Sequence, residues 1–388
     1  MDAHSEICSA IDRYRDKAVK ISHEIHEHPE LMFQEHFAAG ALTAAARELG
    51  LEVEMGIGEL KTAFRAEFGK AGPTVAIMAE YDALPNGHSC GHNLISGAAL
   101  SAVAGLSAIG ARLPGRIVFL GTPAEEGGGG KIILHRRGVL KGVDAAMMAH
   151  PMDAEWSTMP ALATATVRLT FHGRAAHASV APWDGSSALS ALIQTFVSVD
   201  AARLHFRDGS RIHGIITNGG QAPNIIPEKA ECVFTTRAKT SKYALEIAAR
   251  VVRCAEGAAM ASGTRVEHRI APGYKNMINN LSIAQRYSAH TEALGARASV
   301  APPDLPTGST DMGDISHEIP SIHPIFAIAG RGEGSCHEDA FVAHADSPRG
   351  YDAMIRVAKA LAMTAYDLLA EPELLAAARE EFAHREES

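Results

Sequence analysis

Three short apolar runs constrain this chain most: Thr74 to Ala79 (TVAIMA), Arg116 to Leu120 (RIVFL) and Ala145 to Ala149 (AAMMA). Their length and unbroken apolar character fit strands buried on both faces, the pattern of a mostly parallel sheet. Each run opens into polar residues. Asp82 follows the first, Thr122 to Glu126 the second, and His150-Pro151 the third. Open α/β sheets place their ligands at that carboxyl edge. Apolar residues at helical spacing from Ile11 to Gly50, interrupted at His28-Pro29, predict two opening helices. Ser96 to Ala111 predicts a small-residue helix between the first two strands.

With 388 residues the chain exceeds the size at which one core usually stops growing, so two domains are expected. The patterning changes after about residue 163: ATATVRLTFHG alternates, a helix is predicted from Ser186 to Leu204, and alternating segments follow near Ile212 to Thr217, Ala230 to Ala238 and Thr264 to Ile270. Helical patterning resumes with Asn279 to Leu294, and the tail after Pro372 reads as an exposed helix. The expected class is α/β, with a mostly parallel-sheet catalytic domain at 1–163 and 276–388 and an inserted α+β domain at 164–275.

Lys and Arg total 36 against 45 Asp and Glu, with no basic run that could track a phosphate backbone, so nucleic acid is not an expected partner. The first twenty residues carry charges throughout, and nowhere do eighteen apolar residues run together; a cytoplasmic chain with no membrane partner is the expectation. Five widely spaced cysteines, Cys8, Cys90, Cys232, Cys254 and Cys336, argue against a disulfide framework. The twenty histidines are an excess that hints at metal or acid–base chemistry.

The densest polar stretch is AEYDALPNGHSCGHN, residues 79–93, where Cys90 and His92 flank a glycine that leaves room for both to converge; by itself this also fits a buried thiol beside a solvated imidazole. In GTPAEEGGGGK, residues 121–131, Glu125 and Glu126 are adjacent carboxylates that repel unless a cation lies between them, although two exposed loop glutamates would read the same. One could ligate while the other handles protons. A phosphate-binding P-loop is excluded, because Glu125 stands where its first glycine is required. Neither His23-Glu24 nor His317-Glu318 has the second His of an HExxH metalloprotease helix. With His150 and His337, the set offers the N, O and S donors that zinc prefers.

The chain resembles the aminoacylase and glutamate-carboxypeptidase family of co-catalytic metallopeptidases, in its amidohydrolase branch. The resemblance rests on HEHPELMFQE (26–35), AEYDALP (79–85), GHSCGHN (87–93), GTPAEEGGGGK (121–131), GRAAHAS (173–179), NIIPEKAE (224–231) and GSTDMGD (308–314), in family order along nearly the whole chain. Much of the branch reads Cys-Gly-His-Asp. The Asn93 form here, with AEYDALP, is most similar to p-aminobenzoyl-glutamate hydrolases and β-alanyl dipeptidases.

The resemblance implies two divalent metals per chain, zinc with manganese as the alternative, held by Cys90, His92, Glu126, His150 and His337. Cys90 would replace the family's bridging Asp. His92 would replace a His ligand whose place is taken here by Glu80. It further implies that the metals activate water and polarise a scissile carbonyl while Glu125 carries the water's proton to the leaving amine. The inserted domain would act as lid and dimerisation domain, with His177 crossing to the other protomer of a homodimer to stabilise the oxyanion.

Asn224, Arg237 and Ser309, with Thr310 beside it, match substrate-contacting positions, and Arg237 suits a carboxylate. Asp82 would orient a ligand, although the His it serves in the family is gone; Cys336 could be a competing ligand but reads first as a bystander thiol, and Asp in place of Asn93 would add charge near the metals. The activity implied is hydrolysis of an N-acyl amino acid or small dipeptide with a free carboxylate. Hydrolysis of a carbamoyl or ureido amide and a metal-dependent binding protein without catalysis stand as alternatives.

Overall fold

The computed structural model describes residues 2–302, 305 and 307–385. Two compact units emerge, one of Met1–Pro160, Met277–Leu305 and Thr310–Glu387, the other of Ala161–Asn276 with Pro306–Ser309. The second unit thus takes in Ser309, which the sequence reading left with the catalytic halves.

The first unit is built on a six-stranded sheet. Its spatial order is Glu52–Met55, Phe64–Gly69, Arg116–Gly121, Thr74–Ala79, Ala145–Met147, Ser321–Ile322. The first two junctions are antiparallel and the other three parallel. Every residue of Thr74–Ala79 is buried, as expected of a strand covered on both faces. The two opening helices run over Ala3–Glu27 and His36–Glu48. A separate parallel pair, His150–Met152 with Ile325–Ala327, shows that His150 begins a short strand instead of following the end of a longer one. The backbone breaks after Met147, where Met148 N–H turns to Ile322 O.

The central helix spans His92–Ile109 and starts four residues earlier than its small-residue pattern predicts. Polar residues at its first turn conceal the start from a reading of apolar periodicity. All its residues except Ser107 and Ala108 are buried, so its length and apolarity, sufficient to cross a membrane, are those of a core helix. Asn93 fastens it. Its Nδ2 donates to Ala345 O at 2.9 Å and to Ser22 Oγ at 3.1 Å, and Ser22 Oγ donates back to Asn93 O at 3.0 Å.

The second unit is a four-stranded antiparallel sheet in the order Arg265–Pro272, Ala163–His172, Lys229–Ala238, Arg211–Asn218. Helices Ala188–Ala202 and Ser241–Ser262 cover one face. Buried and half-exposed residues alternate along Ala163–His172, which is why this part reads clearly from sequence.

Replacing Asn93 by Leu leaves the Ala345 carbonyl without its buried amide donor and removes the donor to Ser22 Oγ, a loss of about 1–3 kcal/mol. The expected result is a lower melting temperature of the metal-free protein, measured by circular dichroism. An unchanged melting temperature would remove Asn93 from the latch.

Candidate metal centre

The cluster is assembled at the sheet edge of the first unit. The strand Thr74–Ala79 delivers Glu80 and Asp82, both buried. Gly91, at φ +69°, caps the central helix and sets Cys90 and His92 on either side of the turn; a Cβ there would come 2.6 Å from Pro151 Cγ, so glycine is what lets this turn approach the His150 segment. Beyond Arg116–Gly121, Ala124 takes φ +63° and its N–H donates to Glu35 Oε1 at 2.9 Å. Glu35 is buried and also accepts from Phe33 N–H and the Thr62 hydroxyl, each at 2.7 Å. The strained peptide before Glu125 is therefore braced from below. His337, at φ +75°, is tied to the Cys90 loop by its N–H to Ser89 O at 2.9 Å.

The five side chains proposed from sequence as ligands converge here. His92 Nδ1 lies 3.1 Å from Asp82 Oδ1, and Asp82 Oδ2 accepts from Glu126 N–H at 2.9 Å. With the ring proton on Nδ1, Nε2 presents a lone pair, the arrangement in which a carboxylate orients a metal-binding imidazole. Asp82 therefore does serve a histidine, namely His92. His150 Nδ1–H donates to Pro151 O at 2.9 Å, leaving Nε2 3.5 Å from Cys90 Sγ. Glu126 spans the other side, 3.8 Å from His92 Nε2 and 3.5 Å from His337 Nε2.

Tetrahedral coordination with bonds of about 2.0–2.3 Å separates neighbouring ligand atoms by roughly 3.3–3.7 Å. The Cys90–His150 and Glu126–His337 separations fall in that interval. Among buried atoms of the described residues, Glu80 Oε1, His92 Nε2 and Glu126 Oε1 have no hydrogen-bond partner. Three orphaned acceptors facing a common space suit cations. Donor atoms of Cys90, His92 and Glu126 lie within 4.8 Å of one another, and so do those of Glu80, His92 and His150, and of Cys90, His150 and Cys336. The residues present thus fit two metal ions.

Electrostatics agree. Lys131, fully buried, donates through Nζ to Glu80 Oε2 at 2.6 Å and to Asp311 Oδ1 at 2.7 Å. Burial opposes its charge, but Asp311 and Glu80 outweigh it and raise the Lys131 pKa. Burial likewise resists charge on Glu80, yet Lys131 and the surrounding imidazoles hold it down at about 2. Burial pushes Asp311 up to about 6 against the pull of Lys131. Burial, with Glu80 and Asp311 nearby, raises Glu125 well above the usual carboxyl range. Lys131 is the one lysine among the charged groups acting on Glu80, Glu125 and Asp311. Glu80, Glu125 and Asp311 act on the one Lys131 ammonium, and Asp82 and Glu126 lie on the His92 side of the same cluster. The acidic groups outnumber the cationic ones, a surplus that divalent cations would offset.

Burial drives His150 down to about 3 and His323 to about 4, so both are neutral imidazoles. His323 Nδ1–H donates to Met148 O at 2.9 Å, and its buried Nε2 has no partner. On His92 burial is outweighed by Glu80, Asp82 and Glu126, which raise its pKa strongly; on Cys90 the hydrogen bond with Cys336, burial and the nearby glutamates raise the thiol well above its usual value.

Some expectations need correction. Asn93 points to Ser22 and Ala345 and not into the cluster, so the Asp-to-Asn difference bears on the helix latch. The Cys336 sulfur lies within 4.8 Å of donor atoms of Cys90 and His150, as the competing-ligand reading requires. Glu80 as an ion-pairing and ligand-facing group, Lys131, Asp311 and His323 were missed as site residues. The signal available was charge inside small-residue motifs: Glu80 after a strand, Lys131 ending the glycine run, Asp311 within GSTDMGD.

In the second unit, Arg237 Nη1 donates to Ser309 Oγ at 2.9 Å. His177 is exposed, its Nδ1 paired with the Ser179 hydroxyl at 3.2 Å, and Ala178 N–H donates to Asn224 O at 3.0 Å. Arg237 and Ser309 thus form a direct pair, while His177 and Asn224 lie on neighbouring segments joined by the Ala178–Asn224 backbone bond.

Comparison with known proteins agrees with this geometry. The model of Peptidase family M20/M25/M40 matches residues 76–360. The chain is 37% identical to a Xaa-Arg dipeptidase of Mus musculus, over 96% of this chain and 90% of that protein. It is 29% identical to a p-aminobenzoyl-glutamate hydrolase chain of Escherichia coli K12, over 97% and 94% respectively. Its fold superposes with a TM-score of 0.76 and 22% identity on the YXEP protein of Bacillus subtilis, described as a dinuclear metal binding peptidase, covering 93% of this chain and 99% of that one. The chain belongs to Peptidase family M20/M25/M40. It is a metal-dependent hydrolase acting on amide or peptide bonds.

Metal must displace the protons that Cys90 and His92 hold in the metal-free protein. Affinity for zinc should therefore fall as pH drops from about 8 to about 6, by about tenfold per pH unit for each proton displaced. Competition with a chromophoric chelator measures this, and an affinity flat over that range would contradict the assignment.

Proposed function

We propose that this chain is a two-metal dipeptidase or aminoacylase that cleaves the amide bond of a small substrate bearing a free carboxylate. The observation that carries the reading is the convergence of Cys90, His92, Glu126, His150 and His337 at ligand-edge separations, with buried acceptor atoms left unpaired between them. Zinc suits the soft Cys90 and the imidazoles, with manganese the alternative.

When bound, the metals supply Lewis-acid polarisation of the carbonyl and lower the pKa of water. Glu126, His337, His92, His150 and Cys90 hold them, and Asp82 fixes the His92 ring. Glu125, whose carboxyl burial raises well above the usual range, is assigned as the proton carrier. Water adds to the carbonyl carbon, the C–N bond breaks, and the water's proton passes through Glu125 to the departing amine nitrogen. A protein that only binds its ligand has no use for this second, buried carboxyl group.

His177 is assigned to the oxyanion across a homodimer, and Arg237, with Asn224 and Ser309, to the substrate carboxylate. Both assignments rest on the motif match. The likeness to a Xaa-Arg dipeptidase supports dipeptides ending in a basic residue as the first substrates to test, ahead of p-aminobenzoyl-glutamate. A cytoplasmic location is proposed, supported by the five free cysteines.

Glu125→Gln is expected to keep both metals and lose roughly 10²- to 10⁴-fold in kcat. Elemental analysis beside dipeptide hydrolysis measures both. Retention of most turnover would remove Glu125 as the base. In the dimer assignment, His177→Ala mixed with Glu125→Gln restores activity if the His crosses between protomers, and restores none if each chain uses its own.

A further inference from the structure

Glu80 stands at a position that the motif match leaves without a role, yet its surroundings are those of a ligand. It is fully buried, and its two oxygens are treated differently. Oε2 accepts from Lys131 at 2.6 Å. Oε1 accepts from no donor and lies 3.4 Å from His92 Nε2, which has no hydrogen-bond partner either.

In the metal-free protein His92 faces Glu80 Oε1 across that 3.4 Å as an ion pair. A metal must displace the Nε2 proton, and the nitrogen lone pair and the carboxylate oxygen so freed are spaced close to the ligand–ligand edge of a tetrahedral centre with bonds of about 2.0–2.1 Å. His150, whose Nδ1–H is spent on Pro151 O, offers its bare nitrogen within 4.8 Å of both atoms.

The charge balance points the same way. Lys131 is already matched by Asp311, which takes both its Nζ, at 2.7 Å, and its backbone N–H, at 3.0 Å. Once metal displaces the Nε2 proton of His92, the charge of Glu80 is left over in a fully buried position, and an uncompensated buried carboxylate is strongly unfavourable. A metal ion on the Oε1 side, in place of that proton, restores the balance. Lys131 in turn fixes the carboxylate plane so that Oε1, and not Oε2, faces the imidazoles.

The geometry points to Glu80 as a sixth protein ligand of the metal pair, binding through Oε1 to the ion shared by His92 and His150. The inference rests on the two-metal reading above and adds an anionic oxygen to one of its two ions, making that site harder and tighter than His92, His150 and Cys90 alone would.

The test uses the full-length protein loaded with cobalt or zinc. Glu80→Gln preserves shape and an acceptor for Lys131 but is a poor ligand. One of the two metals is expected to bind at least roughly 100-fold more weakly while the other is unchanged, since even partners behind the ligands are worth 10- to 100-fold. The visible bands of the cobalt protein should shift with it. Unaltered affinities and cobalt spectrum, with two metals still bound, would overturn the inference and leave Glu80 as a partner of Lys131 only. Should the variant fail to fold, a crystal structure of the metal-loaded wild type decides directly: Glu80 Oε1 within about 2.3 Å of a metal supports the inference, and a separation beyond about 3 Å overturns it. Absence of metal from the wild type would instead overturn the two-metal reading itself.

Discussion

The structure depends on a concentration of negative charge where water is excluded. Five carboxyl groups and one lysine gather at the edge of a buried sheet, and Glu80 Oε1 and Glu126 Oε1 have no hydrogen-bond donor. The protein offsets this charge with Lys131, shared between Glu80 and Asp311, and with His92, while burial holds His150 and His323 neutral; metal binding must displace the His92 proton. Two divalent cations would satisfy the charge, the orphaned atoms and the separations together. The same interior that makes the site costly when empty gives bound cations a strong field on a carbonyl or a water.

Much of the surrounding fold holds the side chains still. Glu35 braces the Ala124 peptide beside the two glutamates, Asp82 ties the His92 ring to the Glu126 backbone, and Ser89 anchors His337 in its left-handed conformation. Gly130 is required for the same reason: a Cβ there would overlap the Pro123 carbonyl, so the glycine run lets the carboxylate loop fold back on itself. Strained backbone at Ala124 and His337 is tolerated because these supports determine it from several sides.

What the sequence disclosed follows from which forces are local. The buried strands were legible because continuous apolar runs such as TVAIMA bury both faces, and the alternating strands of the second unit because one face is wet. Cys90, His92 and the Glu125-Glu126 pair were legible as tight groupings of ligand-type side chains at strand ends. The triad Glu80–Lys131–Asp311 was not: its members are 51 and 180 residues apart, and nothing local marks one charged residue as the partner of another. The start of the central helix was hidden because its first residues, His92 and Asn93, bind a cluster and a neighbouring helix and carry no apolar signal. Asn93 was misjudged for a related reason, since adjacency to a ligand in sequence does not fix the direction of a side chain.

Metal content per chain, by elemental analysis of protein purified without chelator, tests the central claim most directly when paired with amide hydrolysis before and after stripping. The account expects close to two metals per chain, with activity lost on stripping and regained on adding zinc or manganese. A protein that takes up no metal even when it is supplied, or that hydrolyses its substrate undiminished once stripped, would contradict it.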